Sequence, residues 1–343
     1  MTQLTYQGPD IFSDLPNRTP ELLVVVDAEE EFDWTKPFNR NNREVASITE
    51  NNRAHEIYDR LGVSPTYCVD QCVAENPVAV EYLNSLVKEG RCSIGTQLHP
   101  WVTPPYDEDV NDFNSYHGNL PESLERAKIN TVTDTIEQAF GVRPRIFKAG
   151  RYGIGPNTIG LLIEAGYNVD CSFVPHTSFH SDGGPSFIGL QDQPFWLDDE
   201  KTILEIPLTK GFSGCLAGVF PVSMARVFDS DLALRLRAPG ILSRLGLVDR
   251  ATLSPEGVIT VEQIRLVRSM VQRGKRVFTL TYHSSSLSPG NTPYVRSEDD
   301  LREFLIRIED FLTFFRDEIG GVFTTMEKVR DEAFEEAGRN QIP

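Results

Sequence analysis

The sequence lacks an apolar run of the ~20 residues that a membrane-spanning helix needs. Its first twenty residues have no basic start and no apolar stretch of signal-peptide length. We therefore expect no membrane span and a cytoplasmic location. Positive charge is also scarce, because 33 lysines and arginines stand against 50 aspartates and glutamates and leave a net charge of −17. Nucleic acids and anionic membranes would repel such a chain, so we expect neither as a partner.

Cysteine is scarce and follows no known site pattern. The chain has five cysteines, an odd number. Cys68 and Cys72 are four positions apart, whereas metal and redox sites use the spacing Cys-x-x-Cys. Reduced thiols, most of them in or near apolar runs, are the simplest interpretation. Nothing in the sequence indicates the oligomeric state.

Short apolar runs alternate with longer helical patterns along the chain. Strands are predicted at 22–27, 65–69, 92–99, 145–150, 167–173, 201–209, 276–283 and 321–329, the last running into a helix. Helices are predicted at 47–61, 76–90, 121–141, 155–166, 260–274 and 297–320. This alternation predicts an α/β fold with parallel strands inside and helices outside, a distorted (β/α)7 or (β/α)8 barrel. We expect an N-terminal extension over 1–20 and a single barrel domain over 21–343, with an insertion at about 210–260.

A doubly wound open sheet is the alternative architecture. It would need a glycine-rich, phosphate-binding turn after its first strand. The chain has "DAEEEFDW" at 27–34 instead, and its carboxylates would repel phosphate. The barrel is therefore the favoured prediction.

Carboxylates follow the first predicted strand, and a histidine follows the third. Asp27 and Glu29 point the same way in an extended chain, so one could bind a metal while the other holds a water as base. Gln97 and His99 likewise share one face, with Trp101 next on that side. A histidine near carboxylates suits a divalent metal, and Trp101 offers an apolar surface for a sugar ring. A solvated acidic loop and a structural histidine remain open as interpretations of each motif alone.

Polar residues also follow later strands. Arg151 and Tyr152 lie between glycines after the fourth strand, where backbone N–H groups could hold an oxyanion and Arg151 could pair with Asp27. Asp170, in the fifth strand, is expected to face and orient His283, which ends the seventh. Because the carboxyl ends of parallel barrel strands meet on one face, these groups are expected to converge on one site.

Five segments together resemble the polysaccharide deacetylase family, the NodB-homology domain, and most closely its WalW-type branch. They are "VVVDAEEEFDW", "IGTQLHPWVTPP", "FKAGRYGIGPNT", "VDCSFVP" and "TYHSSSLSPGNTPYV", and the resemblance extends roughly over residues 20 to 325. It implies a distorted (β/α) barrel that removes acetyl groups from N- or O-acetylated sugars, usually with one divalent metal. Zinc is the ion we expect.

Catalytic roles follow from matching the motifs of that family. Asp27 matches the general base and His283 the general acid. Asp170 matches the aspartate that orients this acid. Arg151 and Tyr152 match the arginine and tyrosine region of the third motif. The resemblance implies that these residues form the catalytic centre.

The metal positions depart from the family pattern. Ala28 stands where the family has its second aspartate, a metal ligand, and Glu29 is the expected replacement. The family's two metal-binding histidines fall on Gln97 and Trp101, so His99 between them is the imidazole that remains. The resemblance therefore implies a metal held by Glu29, His99 and Gln97, and it supports the acid and base better than the metal.

Three functions are consistent with these residues. The first is metal-assisted hydrolysis of an N-acetyl group on a carbohydrate, with Trp34, Trp101 and Tyr152 binding the substrate. The second is metal-free hydrolysis of small cyclic amides, which the same fold also serves. The third is a catalytically degenerate barrel that binds a glycan or a partner without turnover.

Overall fold

The computed structural model describes residues 8, 10–12, 18–219, 221–230, 233 and 235–339, so most of the predicted extension over 1–20 lies outside the described residues. The strands are β1 Glu21–Ala28, β2 Thr66–Val69, β3 Ser93–Leu98, β4 Ile146–Ala149, β5 Val169–Asp170, β6 Phe195–Trp196, β7 Leu204–Glu205, β8 Lys210–Ser213, β9 Asp249–Thr252, β10 Val277–His283 and β11 Val322–Phe323. The helices are α1 Asn52–Leu61, α2 Gln71–Glu75, α3 Pro77–Lys88, α4 Glu122–Phe140, α5 Thr158–Ala165, α6 Pro221–Phe228, α7 Ala238–Arg244, α8 Thr260–Gln272, α9 Glu298–Asp317 and α10 Met326–Arg339.

One curled sheet organises the chain. Its strand order is β10-β1-β2-β3-β4-β5-β7-β6, with β11 also paired to β1. All these pairings are parallel except that of β6 with β7. The predicted α/β fold, a distorted (β/α) barrel, is confirmed. Within residues 210–260, β8 and β9 form a separate antiparallel pair, accompanied by α6 and α7.

Side chains join the two sides of the barrel where strand pairing is interrupted between β7 and β10. The backbone N–H of Thr279 donates to Thr209 Oγ1 at 2.8 Å, and Thr279 Oγ1 donates to the carbonyl of Pro207 at 3.2 Å. At the first residue of β10, the backbone N–H of Val277 donates to Gln193 Oε1 at 3.0 Å. Buried backbone groups must find partners, and here side chains replace a strand ladder. This closure is one reason that the barrel is distorted.

The alternation of β1 separates two apolar clusters. Leu22 and Val24 pack in the large cluster beneath the outer helices. Leu23 and Val25 belong to the smaller cluster that fills the curled sheet. The next residue on this inner side is Asp27, which is paired in register with His283 of β10. The strand period therefore brings a carboxylate to the mouth of an apolar interior.

The C-terminal helix closes the other end of the barrel. Met326, Val329 and Ala333 of α10 are fully buried and belong to the same inner cluster as Leu23 and Val25. Because β11 pairs with the first residues of β1, α10 starts beside the amino ends of the strands. The interior is thus sealed at the end opposite to Asp27.

The cysteines fit their predicted state. All five are free, and Cys68, Cys72, Cys92 and Cys171 are buried, while Cys215 is exposed. No helix in the described part of the chain is both long and apolar enough to cross a membrane.

The role of α10 as a plug can be tested by shortening one buried side chain. Met326→Ala should lower the free energy of unfolding by about 2–5 kcal/mol, because it leaves a cavity in the inner cluster. Phe334→Ala on the same helix, where the ring is 54% exposed, should change it by less than about 1 kcal/mol. Urea unfolding of both variants gives the comparison. Equal losses would contradict the plug.

Candidate active site and metal centre

A cavity of about 360 Å³ opens at the carboxyl ends of the strands. Every predicted site residue except Asp170 lines it, namely Asp27, Glu29, Trp34, Gln97, His99, Trp101, Arg151, Tyr152 and His283. Phe32, Phe38, Tyr116, Phe179 and Tyr294 add further aromatic rings to its wall. The cavity therefore combines a polar floor with apolar sides, as small-molecule sites commonly do.

A buried ion pair forms part of the floor. Lys148 Nζ donates a hydrogen bond to Asp27 Oδ1, and both side chains are almost completely buried. Lys148 follows Ile146 on the inner side of β4, so strand alternation directs it to the same mouth as Asp27. Burial alone would lower the pKa of Lys148, but the charge of Asp27 raises it above the ordinary lysine value. The lysine is therefore an ammonium at neutral pH.

Arg151 does not pair with Asp27, so that prediction is wrong. Its guanidinium donates to Asp182 and to Ser115 Oγ, and lies 4.4 Å from the centre of the Tyr116 ring. Arg151 has a φ of 40°, a left-handed conformation in the tight turn after β4. Lys148, three residues earlier, already occupies the position beside Asp27. Arg151 instead fixes the rim of the cavity.

His283 has a carboxylate partner of its own. Its Nδ1 lies 2.8 Å from Glu256 Oε2, and its backbone N–H donates to Glu256 Oε1 at 3.0 Å. Burial alone would lower the pKa of His283, but Glu256, Glu29 and Asp27 together raise it to about 10. The imidazolium presents Nε2 to the cavity, 3.8 Å from both Asp27 Oδ2 and Glu29 Oε1. This is the geometry of a proton donor opposite carboxylates.

Asp170 does not orient His283, and this prediction is also wrong. Val169 and Cys171 occupy the inner cluster, so alternation turns Asp170 to the outer side of β5. There Asp170 accepts a hydrogen bond from Ser172 Oγ at 2.5 Å and pairs with Glu205 in the next strand. Glu256 takes the role that was predicted for Asp170.

The three predicted metal ligands lie together. Gln97 Nε2 donates to Glu29 Oε2 at 2.8 Å and lies 3.2 Å from His99 Nε2. His99 Nε2 and Glu29 Oε2 are 3.4 Å apart. On its other side, His99 Nδ1 lies 2.8 Å from Glu30 Oε2. A proton on Nδ1 is thereby held towards Glu30, which leaves the Nε2 lone pair directed at the cavity.

These donors fit a divalent cation. Burial, with the nearby charges of Asp27 and Glu30, raises the pKa of Glu29 to about 7, although His283 and His99 oppose the shift. A cation would relieve this excess of buried carboxylate. Gln97 Oε1 is buried without a hydrogen-bond partner, and a half-turn of the amide would place it beside Glu29 and His99. After that half-turn a carboxylate, an imidazole backed by a carboxylate and an amide oxygen would surround one point.

A second acidic group lies behind His99. Ligand atoms of Glu30, Asp70 and His99 all lie within 4.8 Å of one another. Asp70 is the N-cap of α2 and accepts from the N–H of Val73 at 2.8 Å. Burial raises the pKa of Glu30 to about 7 and that of Asp70 to about 8. These carboxyls position α2 and His99 rather than face the cavity.

The tryptophans support the polar groups. Trp101 stacks on His99 with ring centres 4.4 Å apart, and its Nε1 donates to Glu30 Oε1 at 2.6 Å. Trp34 meets His283 edge-on at 5.0 Å. Each imidazole therefore has an aromatic ring against it, which restricts its orientation.

The sequence prediction missed the three charged partners of Asp27, His99 and His283, which are Lys148, Glu30 and Glu256. Lys148 had a signal, since a lysine inside a strand with a buried inner side needs an anion close by. The sequence signal for Glu30 was weaker, because Glu30 is one of several carboxylates in the acidic run after β1. Glu256 had no sequence signal, because it lies in the segment 210–260, whose pattern predicts no clear helices or strands.

Comparisons with known proteins support the fold. No family model matches the sequence, and no curated protein sequence matches it significantly. The structure is similar to that of the allantoinase PuuE, with a TM-score of 0.54 and 14% identity over 96% of each chain. Two proteins assigned by inference as polysaccharide deacetylases are also similar. The protein from Mycobacterium smegmatis has a TM-score of 0.53 and 18% sequence identity, over 98% of this chain and 96% of its own. The protein from Pseudomonas aeruginosa PAO1 has a TM-score of 0.53 and 14% sequence identity, over 97% of each chain.

The Asp170–Glu205 pair predicts a pH dependence of stability. Burial raises the pKa of Asp170 to about 6 and that of Glu205 well above its ordinary value. The folded chain therefore binds these protons more tightly than the unfolded chain. The contribution of Asp170 is complete below about pH 4 and is lost as the pH rises through about 6, and that of Glu205 is lost at higher pH. Glu205→Gln should therefore lose less stability than the wild type between about pH 5 and about pH 8 in urea unfolding.

A matched control is Glu81→Gln, which changes an exposed glutamate on α3. Its stability should follow the wild-type pH curve. A Glu205→Gln curve parallel to that of the wild type would show that the buried pair holds no extra proton.

Proposed function

We propose that this protein is a deacetylase of the WalW type that hydrolyses the N-acetyl group of a carbohydrate, a carbon–nitrogen bond outside peptides. The observation that carries the proposal is the opposition of Asp27 and His283 across one cavity, each with its own buried partner. An amide hydrolase needs a base for water and an acid for the leaving amine. The structural similarity to two assigned polysaccharide deacetylases adds support.

Asp27 is the proposed general base. One of its oxygens is bonded to Lys148, while Oδ2 faces the cavity. The ammonium of Lys148 compensates the buried negative charge, so the carboxylate can stand in an apolar interior. A water placed between Asp27 and an acyl carbon would give its proton to Oδ2.

His283 is the proposed general acid. Its raised pKa keeps a proton on Nε2 at neutral pH, and Glu256 holds the ring from behind through Nδ1. The imidazolium would give this proton to the nitrogen of the leaving amine as the carbon–nitrogen bond breaks. Trp34 limits the rotation of the ring.

Glu29, His99 and Gln97 are the proposed ligands of one divalent metal, for which we propose zinc. Such an ion supplies Lewis-acid polarisation of the acyl oxygen when it is bound. Glu30 fixes the tautomer and angle of His99. We assign stabilisation of the oxyanion to the backbone N–H of Tyr152, in the turn after β4. Trp34 and the Tyr152 ring would contact the sugar, whereas Trp101 is buried between the rings of His99 and Phe38 and would support His99 instead.

A second candidate is metal-free hydrolysis of a small cyclic amide. The Gln97 amide already donates to Glu29, and Lys148 and His283 already supply positive charge to the floor. The structural similarity to an allantoinase favours the same candidate. Turnover that is indifferent to a chelator would support it over the deacetylase.

The general acid can be tested by substitution. His283→Ala should lower the rate of acetate release about 10²–10⁴-fold, because the leaving amine loses its proton donor. Glu256→Gln should lower it less and shift the alkaline limb of the pH–rate profile to lower pH, because the charge that raises the pKa of His283 is removed. His180→Ala, an exposed histidine outside the cavity, should retain wild-type activity. Unchanged turnover in His283→Ala would remove this residue from the mechanism.

The metal site can be tested without a substrate. Titration of metal-stripped protein with Zn²⁺ in a calorimeter should show one binding site per chain, and His99→Ala should abolish it. Glu30→Gln should weaken it about 10–100-fold, because the imidazole loses its carboxylate partner. His180→Ala should bind as the wild type does. Absence of binding in the wild type would favour the metal-free hydrolase or a barrel that binds a glycan without turnover.

A further inference from the structure

A separate cavity of about 360 Å³ lies beside the amino end of β10. We call it the basic cavity, and its wall includes His176, Asp192, Phe212, Val222, Arg273 and Lys275. Lys275 comes two residues before the first residue of β10, whereas His283, at the other end of this strand, lines the catalytic cavity. The two cavities share no described lining residue, so the basic cavity is a site of its own.

Positive charge collects at the basic cavity, although the chain as a whole has a net charge of −17. Lys275, Arg273 and His176 lie in its wall, and Asp192 is the one carboxylate among the described residues there. Lysine and arginine are cations at neutral pH, so two permanent positive charges stand against one negative charge. This excess favours an anionic ligand, which the acidic remainder of the chain would repel.

The carboxylate of Asp192 is already paired. Its Oδ1 lies 2.5 Å from Lys275 Nζ, and its Oδ2 lies 3.8 Å from His176 Nε2. Burial alone would raise the pKa of Asp192, but His176 and Lys275 together lower it to about 2. Asp192 is therefore ionised at neutral pH, and its charge compensates Lys275 rather than Arg273.

Neutral groups hold the guanidinium of Arg273. Its Nη2 donates to the carbonyl of Phe212 at 2.9 Å, and its Nη1 donates to Ser269 Oγ at 2.6 Å. Neither partner carries a charge, so neither neutralises the arginine. A guanidinium fixed in this way can offer its remaining N–H donors to an anion in the basic cavity.

Two features of His176 are typical of a residue held in place for binding. Its φ of 61° is a left-handed backbone conformation, which is unfavourable for a residue with a β-carbon and is often retained at ligand sites. Its side chain is buried, and its Nδ1 has no hydrogen-bond partner within the described residues. Buried polar atoms are nearly always paired, so a residue in the wall of the cavity has an unfilled polar atom.

The rest of the wall is apolar. Phe212 forms one side, with its ring centre 5.1 Å from that of His176. Further carbon surface comes from Leu190, Pro221 and Val222. Inorganic phosphate would leave this surface in contact with water. An organic acid would cover it with its chain, and the burial of each methylene group favours binding.

We propose that the basic cavity binds a small organic carboxylate that carries an apolar chain. The carboxylate lies against Arg273 and Lys275, and the chain lies against Phe212 and Val222. The inference does not depend on the reaction proposed for the catalytic cavity.

The proposal can be tested by calorimetric titration of metal-stripped protein. Hexanoate should bind at one site per chain, at least about tenfold more tightly than acetate, because its additional methylene groups are buried. Hexylamine, which has the same chain and the opposite charge, should not bind. Absence of hexanoate binding, equal affinities for hexanoate and hexylamine, or binding of inorganic phosphate alone would each overturn the proposal.

Variants locate the ligand in the basic cavity. Arg273→Gln should weaken hexanoate binding at least about tenfold, because a hydrogen bond to a charged group is lost. Arg268→Gln, on the same helix and outside this cavity, should bind as the wild type does. Val222→Glu should abolish binding by placing a carboxylate in the wall, whereas Ser223→Glu adds the same charge next to it and should not. Unchanged binding in both cavity variants would overturn the assignment.

One further variant separates the two cavities. The catalytic cavity also contains cations, those of Lys148 and His283, and could itself attract a carboxylate. His283→Ala should keep the wild-type affinity for hexanoate, because this residue lies outside the basic cavity. Binding that is weakened in His283→Ala and unchanged in Arg273→Gln would place the carboxylate in the catalytic cavity and overturn the proposal.

Discussion

The site depends on a single buried ion pair, that of Lys148 with Asp27. Both charges stand at the top of an otherwise apolar interior, where an uncompensated charge would cost several kcal/mol. Because Lys148 occupies one oxygen of Asp27, the other remains available to the cavity. The pair also fixes which groups remain for other roles. Arg151 is left to the rim, and His283 must take its carboxylate partner from Glu256.

The two imidazoles of the site are arranged alike. Each has a carboxylate on Nδ1, Glu256 for His283 and Glu30 for His99, and each presents Nε2 to the cavity with Glu29 between them. Their electrostatic settings differ. His283 is held as a cation by three carboxylates, whereas the Nδ1 of His99 directs its proton to Glu30 and leaves Nε2 facing the proposed metal site. One arrangement can therefore provide a proton donor on one side and a lone pair on the other.

Local patterns predicted most of the fold, since they depend on neighbouring residues. The helices predicted at 121–141 and 297–320 begin and end within a few residues of α4 and α9. The strand predicted at 167–173 is only two residues long in the structure, Val169–Asp170 of β5. The side of the sheet that Asp170 faces depends on how these two residues pair with β4. Glu256 lies 27 positions before His283, in a segment whose sequence pattern predicts no clear elements. No spacing rule could connect it to His283, because only the folding of 210–260 brings them together.

The plug formed by α10 has a consequence for synthesis of the chain. β1 pairs with β10 and β11, and its inner side is covered by α10, all of which follow it much later in the chain. Contacts between such distant positions form late and slow folding. During translation the inner cluster would lack its cover until α10 had left the ribosome. A chain that stops before Met326 would keep an open apolar barrel, which is a surface that aggregates or recruits chaperones.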